Sequence, residues 1–193
     1  NIQGSDLNKN KNTDRLIEKG VKVYFEHHPK NLKKTTMVVI SSAIKKTNEE
    51  LIAAKNKKLP IFKRGEMLAN IVALKKNIVV TGSHGKTTTT SLVANILAEA
   101  GLDPTVINGG VINSLKNNAR LGKGEWAVIE SDESDGSFLK LPITYSIVTN
   151  LDKEHLDFYG NFRKLKKSFC SFIEKTPSFG KSLICLDNKN LKS

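Results

Sequence analysis

Short apolar runs alternate along this sequence with stretches in which apolar residues recur every three or four positions. The first pattern signals strands and the second signals amphipathic helices, so their order predicts an α/β fold with mostly parallel strands. Asn12 to Lys19 reads as a short helix stopped by Gly20. A strand follows at Val21 to Phe25, and a second, more buried one at Thr36 to Ser41. Thr47 and Glu50 form a T-x-x-E capping box that opens a helix through Lys57. Pro60 to Lys63 is extended, and Glu66 to Leu74 is a helix with Met67, Leu68, Ile71 and Leu74 on one face.

A second unit starts at Asn77, after the Lys75–Lys76 pair. Ile78 to Thr81 is a strand, and Thr87 to Ala100 is a helix that Gly101 ends. Its inward residues are Leu92, Val93, Ile96, Leu97 and Ala100. Further strands are predicted at Thr105 to Ile107, Trp126 to Glu130, Ser146 to Thr149 and Ser182 to Leu186. Phe162, Leu165, Phe169 and Phe172 give one more helix its apolar face. The opening NIQGSD reads as the tail of a strand and a turn, and few residues follow the last strand. The expectation is parts of two domains, divided at 76/77.

Composition narrows the function classes. No apolar run approaches the roughly 20 residues that cross a bilayer, so membrane insertion is not expected. Cys170 and Cys185 lie in apolar surroundings and are too few for a disulfide framework, which points to a reducing cytoplasm. The net charge of +12 raises the question of nucleic acid. Residues 1–80 hold 17 Lys+Arg against 7 Asp+Glu, whereas residues 81–193 hold 14 against 12. The excess is 27 Lys with only 4 Arg, scattered and without interleaved aromatics. Base readout and bidentate phosphate contacts favour Arg, so a solvated Lys-rich surface is the better account and no nucleic-acid partner is expected.

Three segments carry chemistry. VVTGSHGKTTTT, Val79 to Thr90, is a strand, a glycine-containing turn and a Lys-Thr helix start. That context is what a phosphate loop requires. Gly82 and Gly85 let backbone N–H groups wrap an anion, with Ser83, His84 and Thr88 completing the loop. The helix N-terminus adds its own donors. Lys86 can reach the β- and γ-phosphates, and the Thr87 hydroxyl can ligate Mg²⁺. The spacing is G-x-x-G-K-T, shorter than the usual G-x-x-x-x-G-K-T.

WAVIESDESDGSF, Trp126 to Phe138, runs an apolar strand into Glu130, Asp132, Glu133 and Asp135. An acid at the end of a strand beside a phosphate loop completes the Mg²⁺ shell in many nucleotidases, and Glu130 is the first choice because it follows the strand directly. VTNLDKEHLDFYG, Val148 to Gly160, places Asn150, Asp152, His155 and Asp157 after another strand end. Three loops from one sheet edge would converge on one crevice, where ligands bind in open α/β sheets. His27 and His28 follow a strand of the first unit and are weaker candidates.

GSHGKTTTT, NGG at Asn108 to Gly110, NARLG at Asn118 to Gly122, ESDESDGSFLKL and TNLDKEHLDFYG together resemble the Mur ligase family. GSDL at Gly4 to Leu7 and VISSAI at Val39 to Ile44 extend the resemblance over nearly the whole chain. The motifs look most like those of the members that join L-alanine to UDP-N-acetylmuramate. The resemblance implies an incomplete Rossmann-like N-terminal domain for the UDP-sugar, residues 1–76, followed by part of a P-loop ATPase domain with a mostly parallel sheet, residues 77–193. The family's third, C-terminal domain is expected to be absent.

The resemblance further implies that ATP phosphorylates the lactyl carboxylate of UDP-N-acetylmuramate and that the amine of L-alanine then attacks the acyl phosphate. Lys86 would stabilise the transferring phosphoryl group, and Thr87 and Glu130 would hold one Mg²⁺. His155 would help hold a second divalent ion, where Mn²⁺ can substitute. Asp6 would lie near uridine, with Ser41, Ser42 and Asn108 as further substrate candidates. His27 matches a Gly-His of the family, although Glu26 stands in place of the Gly. Three alternatives stay open: a murein-recycling ligase, a regulatory P-loop nucleotide switch, and a non-catalytic nucleotide-binding fragment.

Overall fold

The computed structural model describes residues 1–112 and 117–192, the side chains of 110–118 excepted. The chain divides by packing into two units, Asn1–Met67 and Leu68–Ser193.

The first unit holds two parallel strand pairs. β1 (Gln3–Ser5) pairs with β2 (Lys22–Tyr24), and β3 (Val38–Ile40) pairs with β4 (Ile61–Lys63). Between β1 and β2 lies α1 (Lys11–Glu18), opened by Asn10, whose side chain accepts from the N–H groups of Asn12 and Thr13. Between β3 and β4 lies α2 (Glu49–Asn56). Two expectations are corrected here. The α2 cap is Asn48, which accepts from the Leu51 N–H at 3.0 Å, and not the Thr47–Glu50 box. Glu50 is drawn away because its carboxylate accepts from Asn31 Nδ2 at 2.7 Å and Ser5 Oγ at 2.5 Å. β3 is not deeply buried: it belongs to a two-stranded sheet, and Val39 is 44% exposed.

α3 (Arg64–Val72) crosses the division between the units. In the second unit its buried residue is Val72, with Leu68 and Ala69 packed on the same core. Ile71 and Leu74, expected on one apolar face, are exposed, and Leu74 lies beyond the end of the helix at Val72.

That unit is built on a six-stranded sheet of β5 (Lys76–Thr81), β6 (Thr105–Ile112), β7 (Asn117–Arg120), β8 (Trp126–Glu130), β9 (Tyr145–Val148) and β10 (Lys181–Ile184). The order is β10-β9-β5-β8-β6-β7, parallel except for β7. β5 reads as a continuous apolar run because both its faces are covered; Val79 and Val80 are fully buried. The chain leaves β5 towards β6 on one side and later enters β9 on the other, so β5 marks the switch in strand order.

Two helices cover the sheet. α4 (Lys86–Glu99) packs Val93, Ala94 and Leu97 against Val106 and Val128. Leu92, Ile96 and Ala100, expected inside, are exposed: the small side chains of Thr90 and Ala94 form the contact stripe, and it is narrower than the apolar pattern. α6 (Phe162–Glu174) buries Leu165, Phe169 and Phe172, as its spacing predicts. Phe138 sits against the last two, with ring centroids 5.5 and 5.3 Å apart. Cys170 and Cys185 are both exposed free thiols, contrary to their apolar sequence surroundings. Cys170 is on α6 but off the buried stripe. Among the described residues no helix is long and apolar enough to cross a membrane.

Candidate functional site

Parallel pairing sets the ends of three strands side by side. Val80 is opposite Glu130 of β8, and Thr81 is opposite Val148 of β9. The three loops that leave these ends are the three chemistry-bearing segments, and the sheet brings them together.

The first loop is held by the third. The Ser83 N–H donates to the Asn150 carbonyl at 3.3 Å, and the His84 N–H donates to Asn150 Oδ1 at 2.7 Å. Thr149 Oγ1 and Asn150 Nδ2 both donate to the His84 carbonyl, at 2.6 and 2.9 Å. The Asp152 N–H donates to Ser83 Oγ at 2.9 Å. Gly82 is required by this closeness. Its φ is +135°, and a Cβ there would lie 2.2 Å from Thr149 Oγ1. Gly85 is required for a different reason: it is the left-handed N-cap of α4, at φ +77°, with open space around it. No side chain caps α4, so its first N–H groups face the loop without an intrahelical partner.

Lys86 turns back over this loop. Its Nζ donates to the Gly82 carbonyl at 2.6 Å, the Ser83 carbonyl at 3.3 Å and Glu133 Oε2 at 3.0 Å. Glu133 is 1% exposed. Its other oxygen, Oε1, is buried with no hydrogen-bond partner and lies 3.7 Å from His155 Nε2. Lys86 and His155 thus meet the same carboxylate and share one crevice. Asp132, Glu133 and His155 each offer one ligand atom within 4.8 Å of the others.

His155 begins α5 (Leu156–Tyr159) in the left-handed region at φ +54°, with no side-chain cap bond. A non-glycine residue held there is backbone strain of the kind that surrounding contacts must enforce. The Tyr159 hydroxyl, in the same helix, donates to the Glu133 carbonyl at 2.5 Å. Its phenol is pushed up to about 12, by burial first and then by the charges of Glu133, Asp135 and Asp132.

Beside Lys86, the Thr87 hydroxyl donates to Glu130 at 3.0 Å from both carboxylate oxygens, and the Gly109 N–H donates to Glu130 Oε2 at 2.7 Å. Asn108 is buried behind them. Its Nδ2 donates to Ser91 Oγ at 3.2 Å, and that hydroxyl donates to the Thr87 carbonyl at 2.8 Å. Asn108 Oδ1 has no partner.

The loop Gly82 to Thr88, Glu130, His155 and Asn108 therefore assemble in the second unit. Thr88 is exposed, and the His84 ring points to Asp152 Oδ2 at 3.3 Å and Glu154 Oε1 at 3.7 Å. Asp6, Ser41 and Ser42 belong to the first unit. Asp6 Oδ1 accepts from the Asn8 N–H at 2.9 Å, Ser41 Oγ accepts from the Ala43 N–H at 3.3 Å, and Ser42 is exposed. His27 Nδ1 lies 3.2 Å from Glu50 and 3.3 Å from Ser5 Oγ, while the His28 ring accepts from the Lys30 N–H at 3.1 Å.

Glu130, the first choice from sequence, meets Thr87, and Glu133 of the same acidic run is the one that meets Lys86. The missed signal is that an acid three residues past a buried strand can turn inward if a lysine awaits it. The holding roles of Thr149 and the Gly109 N–H carried no local signal.

Comparison with known proteins adds the relatives. The profile "Mur ligase family, catalytic domain" matches residues 1–76, and "Mur ligase middle domain" matches residues 80–193. The UDP-N-acetylmuramate–L-alanine ligase of Pelagibacter ubique is 63% identical over 192 residues, and that of Rhizobium etli is 52% identical. All of this chain is covered in both alignments, but the chain spans only 41% of either relative. The crystal structure of UDP-N-acetylmuramate-alanine ligase from Thermotoga maritima superposes with a TM-score of 0.87 at 28% identity, over 97% of this chain and 44% of that one. UDP-N-acetylmuramate:L-alanyl-gamma-D-glutamyl-meso-diaminopimelate ligase from Neisseria meningitidis gives 0.89 at 26% identity, over 98% and 65%.

Proposed function

The chain belongs to the Mur ligase family, and from that premise we propose that it is the part of a cytoplasmic ligase that joins L-alanine to UDP-N-acetylmuramate at the expense of ATP. Residues 1–76 are assigned the UDP-sugar, with Asp6, Ser41 and Ser42 as candidate contacts. Residues 77–193 are assigned ATP. The identity to the two L-alanine ligases supports the choice of acceptor within the family.

One observation carries the reading: Lys86, on a glycine loop before an uncapped helix start, meets Glu133 of the loop after β8, and the same carboxylate faces the histidine after β9. The unpaired N–H groups at the start of α4 bind the phosphates. In the first step a lactyl carboxylate oxygen attacks the γ-phosphorus and ADP leaves. The Lys86 ammonium offsets the charge that spreads over the moving phosphoryl oxygens. In the second step the amine of L-alanine attacks the acyl carbon, and phosphate leaves from the tetrahedral intermediate.

The donors fit divalent metal. Thr87 Oγ1 and Glu130 are hard oxygen donors suited to Mg²⁺. Asp132 and His155, whose ligand atoms lie within 4.8 Å of each other beside Glu133, make a mixed oxygen–nitrogen pair that admits Mn²⁺. A divalent ion bound there would neutralise phosphate charge.

The test is phosphate release by the longer protein that carries this segment. Release is expected to require ATP, UDP-N-acetylmuramate and L-alanine together. ATP turnover that ignores L-alanine would overturn the reading, and a preference for a murein tripeptide over L-alanine would move it to the recycling ligases.

A further inference from the structure

Glu133 stands apart from the other acids of the crevice. Asp132 is exposed and Glu130 half-buried with both oxygens bonded, whereas Glu133 is buried with one oxygen bonded and one free. A carboxylate withdrawn from water without full compensation is costly, so it is retained for what it holds.

It holds two groups. Its Oε2 takes one donor of Lys86, and the Gly82 and Ser83 carbonyls take the others. All three ammonium donors are therefore committed before any phosphate arrives. Its Oε1 faces His155 Nε2 at 3.7 Å, just beyond hydrogen-bond range. The backbone of Glu133 is pinned by the Tyr159 hydroxyl and by the Gly136 N–H, both donating to its carbonyl. The side chain can shift between its partners while the main chain stays fixed.

We propose that Glu133 is a positioning residue of the phosphoryl-transfer site: it occupies the anion position at Lys86 until the nucleotide phosphates replace it, and then orients the His155 imidazole. This rests on the reading of the crevice as an ATP site. The carboxylate competes with phosphate for the ammonium, so it weakens nucleotide binding. After release it aligns His155, so it raises turnover. The two effects have opposite signs on removal of the charge.

The experiment uses Glu133→Gln in the longer ligase, which keeps the buried volume. ATP affinity is read by equilibrium titration with a fluorescent nucleotide, without acceptor, and steady-state kcat is read separately. ATP is expected to bind severalfold more tightly, while kcat falls about 10- to 100-fold, as for loss of a partner that orients a ligand histidine. Unchanged kcat, or weaker nucleotide binding in a folded variant, overturns the proposal. If Glu133→Gln fails to fold, Glu133→Asp decides, since its shorter arm cannot serve both partners: kcat equal to the parent's overturns the proposal, and a comparable fall supports it. Parent enzyme that binds nucleotide but shows no L-alanine-dependent turnover would sink the assigned reaction, while the titration would still report on Glu133.

Discussion

Lys86 and Glu133 form an ion pair at 3.0 Å across the mouth of the Gly82–Thr88 loop, with the side chains 15% and 1% exposed. Water screens little of it, and the carboxylate depends on the lysine for compensation. Lys86→Ala is therefore expected to do two things. On the proposed reaction it removes the charge assigned to the phosphoryl group, and turnover of the longer ligase should fall by at least about a hundredfold. It also strands a buried carboxylate, costing about 3 kcal/mol of stability. The double variant Lys86→Ala/Glu133→Gln should recover most of that stability in urea unfolding and none of the activity. Equal stability of the single variant and the parent would refute the burial argument.

Gly82 and Gly85 are expected to respond differently to alanine. At Gly82 the added methyl meets Thr149 Oγ1 and lies 2.9 Å from the Asn150 carbonyl, so the loop or the third segment must move. At Gly85 nothing lies within 4 Å, and only the left-handed backbone is penalised, at about 1 kcal/mol. Denaturation midpoints should rank parent, then Gly85→Ala, then Gly82→Ala. The reverse order would mean that the loop does not pack on Asn150.

Asp103, in the turn before β6, ties that turn to the end of β7 and the loop after it. Its Oδ2 accepts from the Lys123 N–H at 2.8 Å, and its Oδ1 pairs with Arg120. These contacts, led by the backbone bond from Lys123 and opposed by some desolvation, hold its carboxyl below the ordinary 3.8. A lowered value means that the folded state favours the charged form. The stabilisation is present in full above the ordinary value and is lost as pH falls through the folded one. The stability gap between the parent and Asp103→Asn should be constant near neutrality and shrink below pH about 4. A gap that widens with acid would show the opposite sign.

Tyr159 supports the loop that carries Glu133. Its raised value, about 12, means that folding favours the neutral phenol. That contribution is present below the unfolded value of about 10 and is lost as pH rises through the folded one. Alkaline absorbance titration of the folded protein should show a late component that Tyr159→Phe deletes. The substitution should also cost about 1 kcal/mol at neutral pH, for one hydrogen bond to a buried carbonyl. An unaltered titration would place the phenol in water.

The amino-acid order by itself determined the alternation of strands and helices, the glycine loop with its Lys-Thr helix start and the two acidic segments that stand beside it. Those signals are local: apolar period, glycines at φ-demanding turns, and a Lys-Thr at a helix start. Trp126–Glu130 and the Leu165, Phe169, Phe172 stripe were legible for the same reason. The antiparallel β7 and the outward turn of Leu92 and Ile96 were not. An apolar residue's fate depends on which neighbour covers it, and no local period reports that. The Asn48 cap displaced the Thr47–Glu50 box because Glu50 found distant partners in Ser5 and Asn31. Tertiary structure also decided the acids. Glu130 and Glu133 stand three residues apart in one acidic run, yet the first meets Thr87 and the second is buried against Lys86. The difference arises because the chain bends inward after β8, and a carboxylate can remain buried there only where a cation from another element meets it.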